Sequence, residues 1–139
     1  MSLKTIKTTL ETFLNTNVTT KVIKWNNTAS YTLNSVGQTP DEVNHLVLFI
    51  EPRIIPITQD RELMSTSTPR KFEVFFQIDI YTKRGTGTGE IYTTIELLDA
   101  VFVEEIVTGV VVETSKTLPS FEDGDWIITP VRYLAYIYG

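Results

Sequence analysis

The sequence predicts an α+β domain: a mixed, mostly antiparallel sheet of about five strands with two helices packed on one face. Three observations carry this. Two segments, around Leu10 and around Leu98, repeat apolar side chains at helical spacing. A stretch centred on Phe76 alternates apolar and polar side chains with period two, and further β-branched segments resemble it. Most strands also follow one another without an intervening helix, which favours antiparallel pairing.

Leu3, Ile6, Leu10, Phe13 and Leu14 form one helical stripe, with Ser2 placed as N-cap. A short strand, Lys21 to Trp25, closes at Asn26-Asn27, and the polar stretch Thr28 to Asp41, with Gly37 and Pro40, reads as loop. His45 to Ile55 is the next strand. Pro52 cannot donate to a ladder, so the strand must lie at an edge there or bulge. Pro56 to Pro69 has no apolar period and reads as a flexible loop. Leu63 and Met64, apolar side chains in its middle, are candidate anchors for a neighbouring molecule. Phe72, Val74, Phe76, Ile78 and Ile80 then face the core, while Glu73, Phe75, Gln77, Asp79 and Tyr81 face away. After a glycine-rich turn, Ile91, Ile95, Leu98 and Phe102 mark the second helix, with Thr88 as its cap and Glu90 suited to its dipole. Ile106 to Thr114 is strand, Leu118 to Asp125 is turn, and Trp126 to Tyr138 is a final strand bent or bulged at Pro130.

Composition narrows the chemistry. The chain has 139 residues, enough for one domain, and 42% are hydrophobic, enough for a core. The absence of cysteine removes disulfides, thiolate metal sites and cysteine nucleophiles, and a single histidine, His45, removes any site built on two imidazoles. Seventeen acidic against twelve basic residues give a net charge of −5, which argues against a chain-wide phosphate-binding surface. The longest unbroken apolar run, Leu46 to Ile50, is too short to span a bilayer, and no targeting segment is visible at Met1 to Thr16.

Candidate sites are few. Gly85-Thr86-Gly87-Thr88-Gly89 lies between a strand and a helix, where backbone amides attract anions, but its spacing fits neither dinucleotide nor P-loop patterns. A small-ligand or nucleotide-binding module using this turn is the alternative reading of the chain. His45 has no nucleophile at a recognisable spacing, and Glu122-Asp123-Gly124-Asp125 lacks the further ligands of a calcium loop. No catalytic residue, cofactor or metal site is predicted. What remains is an interaction signal: aromatic side chains on both faces of the strands, with Phe75, Tyr81 and Tyr133 as candidate interface residues alongside Leu63 and Met64.

From end to end the chain resembles the tail terminator, or head-to-tail joining, proteins of long-tailed phages. Four segments carry the resemblance: the helix Ile6 to Leu14 leading to Trp25-Asn26-Asn27; the strand Phe76 to Tyr81 running into Gly85 to Gly89; the helix Leu97 to Phe102; and Asp123-Gly124-Asp125-Trp126 leading to Pro130-Val131-Arg132-Tyr133. The family often has Trp-Glu-Asn where this chain has Trp25-Asn26-Asn27, and a proline where it has Thr82-Lys83-Arg84. The resemblance implies a single α+β domain over residues 1–139 that works as a non-enzymatic virion protein. It would form a homohexameric ring at the head–tail junction, assembled in the host cytoplasm, that ends tail tube polymerisation. Its implied partners are further copies of itself, the tail tube protein and a head completion or connector protein. DNA would pass through the ring without sequence-specific binding, and no membrane is involved.

Overall fold

The computed structural model describes residues 3–18, 21–25, 31–33, 48–57, 71–85 and 88–138. In chain order the elements are α1 (Leu3–Asn17), β1 (Val22–Lys24), β2 (Tyr31–Leu33), β3 (Leu48–Pro56), β4 (Lys71–Lys83), α2 (Gly89–Phe102), β5 (Ile106–Val107), β6 (Val110–Thr117), β7 (Phe121–Asp123) and β8 (Trp126–Tyr138). The strands form one mixed sheet in the order β2-β1-β3-β4-β8-β6-β5, with β7 also pairing β8. Among the described residues only β1 and β3 run parallel. The fold class is the expected α+β, with eight strands instead of about five.

The sheet is organised by its two long central strands. β4 and β8 have 13 residues each and pair along their whole length, from Lys71↔Tyr138 to Lys83↔Trp126. Both helices lie on one face of them. Ile6, Leu10 and Leu14 of α1 and Leu98 and Phe102 of α2 are fully buried with Val74, Phe76, Ile78 and Ile80 of β4. Phe102 joins the layers: its ring centroid lies 5.5 Å from Phe13 of α1, 5.4 Å from Phe76 of β4 and 5.4 Å from Tyr133 of β8. On α2 the buried stripe is Ile91, Thr94, Leu98 and Phe102. Ile95 is only partly buried, and Thr94 is tolerated inside because its hydroxyl donates to the Glu90 carbonyl at 2.7 Å.

Each proline finds a side of its strand that needs no donor. Pro52 pairs with Ile78 without a register shift and lies past Ile50, the one residue of β3 paired to β1. The Pro130 carbonyl accepts from Leu118, so the missing N–H points the same way, towards the coil between β6 and β7. β8 keeps unbroken register with β4 through Pro130, so no bulge lies between these two strands; the register shift lies in β6, between Val112 and Ser115.

The predicted strand Ile106 to Thr114 is a hairpin. Val107↔Val110 close a two-residue loop whose residues, Thr108 (φ 48) and Gly109 (φ 83), are both left-handed, the signature of a type I′ turn. The predicted turn region holds a further strand, β7. Its loop to β8 has Gly124 first (φ 60) and only that residue at positive φ, as in a type II′ turn. β2 lies inside the segment read as loop. Pro56, expected to open the long loop, ends β3, and Ile57 donates to the Glu73 carbonyl at 3.1 Å. Thr88 occupies the N-cap position of α2, but its hydroxyl makes no capping bond. The remainder of that loop, with Leu63 and Met64, lies outside the described residues, as do Ser2, His45, Thr86 and Gly87.

Candidate functional site

Among the described residues both helices lie on one face of the sheet, and the other face carries side chains that range from buried to exposed. Strand pairing brings residues distant in sequence into rows across that face. The first row is aromatic and apolar: Phe49↔Tyr81↔Ile128↔Phe121. Phe49 stacks on Tyr81 with centroids 4.5 Å apart, and Trp126 stands edge-on 5.0 Å from Phe49. The Tyr81 hydroxyl is pushed up to about 12, first by burial and then by the Glu51 and Asp79 carboxylates.

The middle of the face is polar. Lys24 donates to Glu51 Oε2 at 2.7 Å, and Arg53 Nη2 lies 3.6 Å from Glu51 Oε1 and donates to Asp79 Oδ2 at 2.5 Å. Gln77 Nε2 donates to Asp79 Oδ1 at 2.8 Å, and Arg132 donates to Gln77 Oε1 through Nε (3.1 Å) and Nη2 (2.8 Å). The acids lie underneath and the cations above: the Asp79 and Glu51 side chains are 4% and 8% exposed, those of Lys24 and Arg53 31% and 37%. Arg132 also sits over the Phe75 ring, 4.9 Å from its centroid. Lys116 stands directly opposite Arg132 on the neighbouring strand.

The third band is apolar again. Ile55↔Phe75↔Leu134 form one row, and Glu73↔Tyr136↔Val111↔Ile106 the next, apolar but for Glu73. All but Ile106 are half-buried, and Ile106 is the most exposed large apolar side chain among the described residues, at 69%. A stripe of charge thus divides two apolar bands.

The candidate interface residues fall in different places. Phe75 and Tyr81 share the helix-free face, on opposite sides of the charged stripe. Tyr133 does not belong with them. It points into the core, fully buried, and its hydroxyl donates to Asp99 Oδ1 of α2 at 2.7 Å. Burial and that bond hold its ionisation well above the ordinary tyrosine range. Its ring is spent inside the subunit, so it is not an interface residue. The charged stripe itself escaped sequence reasoning, because Glu51, Asp79 and Arg132 meet only through strand register.

Elsewhere the surface offers little chemistry. Gly85 (φ 86) supplies a left-handed turn, and a Cβ on Gly85 or Gly89 would meet open space, so neither glycine is required by a close backbone approach. The Glu90 carboxylate in the first turn of α2 opposes an anion there. A groove of about 390 Å³ between α1 and the β5–β6 turn is lined chiefly by threonines and has no ionisable side chain. Among the described residues no three His, Cys, Asp or Glu side chains converge as metal ligands would, and no helix is long and apolar enough to cross a membrane.

No protein-family model matches the chain, and no curated protein matches it. A solved structure that carries no functional description is similar to it, with a TM-score of 0.64 at 14% sequence identity, covering 99% of this chain and 96% of that one. The likeness is one of fold, and it spans both chains nearly end to end.

Proposed function

We propose that this chain is a structural, non-catalytic subunit of a long-tailed phage virion: a tail terminator or tail-completion protein that closes into a homohexameric ring at the head–tail junction. The observation that carries the reading is the helix-free face, where, among the described residues, Ile55, Phe75, Leu134 and Tyr136 stay half-buried and Ile106 exposed with no helix over them. A domain that stacks both helices on one side of its sheet and keeps apolar side chains on the other is built to be covered by something. The resemblance of four segments spread over the whole chain supplies the kind of assembly. The α+β architecture agrees with the fold that resemblance implies. A net charge of −5 suits a conduit that passes DNA and does not hold it. In this reading the ring contacts the tail tube protein on one side and a head completion or connector protein on the other.

The test is assembly. The purified chain, alone and mixed with its tail tube protein, is examined by native mass spectrometry and particle imaging. Sixfold rings of about 95 kDa, six times the 15.8 kDa chain, are expected on tube ends. A stable two-fold dimer as the sole assembled form, or no association with tube ends, overturns the reading. The non-catalytic part is tested separately, with a metal-dependent hydrolytic rate lost in His45→Ala as the result against it.

A further inference from the structure

Among the described residues, the charged stripe holds one pair of cations without a matching carboxylate. Lys116 and Arg132 stand opposite one another on adjacent strands, an arrangement that repels. Among the described residues neither is ion-paired: Arg132 spends donors on the neutral amide oxygen of Gln77 and its face on Phe75, and Lys116 is exposed. Every other cation of the stripe is matched, Lys24 by Glu51 and Arg53 by Asp79. Beside the pair runs the half-buried apolar row Ile55, Phe75 and Leu134. The surface that fits this combination carries carboxylates next to an apolar side chain.

The chain presents such a surface further along the same edge of β8, at its Trp126 end. The β7–β8 turn holds Phe121, 52% exposed, immediately before Glu122, Asp123, Gly124 and Asp125, all of them exposed. Arg84 engages Glu122 and so leaves the turn with an excess of negative charge. We infer that the Phe121–Asp125 turn of a second copy docks on the Lys116–Arg132 stripe, its carboxylates meeting the two cations and its Phe121 ring lying on the Phe75–Leu134 row. The two patches are unlike, so the contact is head-to-tail, and repetition of it closes a ring or continues as a filament. This inference rests on the proposed ring and names the surfaces that make it.

Charge exchange tests it. Lys116→Glu and Asp125→Lys change exposed side chains outside the core, and unchanged melting temperatures confirm that each variant folds. Self-association of the full chain is followed by sedimentation and native mass spectrometry. Each single variant should weaken it about tenfold or more, the Lys116→Glu/Asp125→Lys chain should recover most of that loss, and about 1 M salt should weaken the original contact. Rings that form equally well in both single variants overturn the inference and leave the ring reading standing. Failure of the combined variant to recover also overturns it, since the stripe then meets some other surface. Loss of nucleic-acid retention in Lys116→Glu with self-association unchanged assigns the stripe to phosphates and likewise overturns it. Absence of any self-association overturns the inference together with the ring.

Discussion

Asp79 is the residue on which the charged stripe depends, and its replacement by alanine gives the sharpest test of the face. Its carboxylate is buried beneath Arg53 and accepts from Arg53 Nη2 at 2.5 Å and from Gln77 Nε2 at 2.8 Å. Removing an acceptor that bears charge costs about 1.5–3 kcal/mol per hydrogen bond, and a buried donor left without a partner costs about 1–3 kcal/mol. The Arg53 share belongs at the low end, because the guanidinium is 37% exposed and keeps Glu51 at 3.6 Å. Gln77 is buried, and its other end is held by Arg132, so its amide cannot turn to water without breaking a second contact. The expected loss is about 3 kcal/mol, which for a chain of this length lowers Tm by about 10 °C. Asp79→Asn keeps an acceptor for Gln77 and should lose about half as much. Urea denaturation with an unchanged slope, paired with calorimetry, measures both. A loss below about 0.5 kcal/mol for Asp79→Ala would mean that water already serves these groups and that the face is open to solvent along its middle. Replacing the pair together, Arg53→Met with Asp79→Leu, should recover the Arg53 share of the loss but still leave the buried Gln77 donor unpaired, at about 1–3 kcal/mol. It would also narrow the charged stripe that divides the apolar bands, so aggregation of this variant is the expected second readout.

Thr108 is β-branched yet left-handed, so Thr108→Asn, which suits a type I′ turn, should stabilise the protein by about 1 kcal/mol and raise Tm by about 3 °C in calorimetry. Tyr133→Phe keeps the buried ring but removes the donor to Asp99, and should cost about 1–2 kcal/mol in urea denaturation, with faster amide exchange in α2. Tyr81 keeps its proton up to about 12 when folded, whereas an unfolded tyrosine releases it near 10.0. Between those values the unfolded chain binds fewer protons, so stability falls as pH rises through the window, and Tyr81→Phe should flatten that slope in denaturation series taken across it.

The parts of the fold that were legible in the sequence are those governed by a local period. α1, α2, β4 and β8 each repeat their core side chains over three or more turns or pleats, and β8 runs from Trp126 to Tyr138 as read. The short elements were not legible. β2 has three residues and β5 two, too few for a period to register, and the turn between β5 and β6 is carried by Thr108, a residue that seldom marks one. The helix-free face was legible only as a suspicion that Phe75 and Tyr81 point away from the core. Its charged stripe depends on which residue of β3 faces which of β4 and β8, a matter of register that no single strand encodes. Tyr133 was misplaced for a related reason: its parity assigned it to a face, but only the docking of α2 shows that this face is the interior.

The full-length pairing of β4 with β8 also shapes how the chain is made. Even the nearest pair of that ladder, Lys83 and Trp126, is separated by about forty residues, and the ends of the ladder by nearly seventy. α2 and the β5–β6 and β7–β8 hairpins close over short distances and can form while the centre of the sheet is still incomplete. β3 offers β4 a partner early, but the other edge of β4 waits for β8, the last strand in chain order. At a translation rate of about 5–20 residues per second, that edge stays unpaired on the ribosome for several seconds, with Phe72, Val74, Phe76 and Ile78 uncovered by β8. Refolding of the free chain belongs with the slower class, milliseconds to seconds, dominated by non-local pairing. The strand that holds the finished subunit together is the one most open to a wrong partner during synthesis, so the yield of native protein should depend on temperature and concentration more steeply than its final stability does.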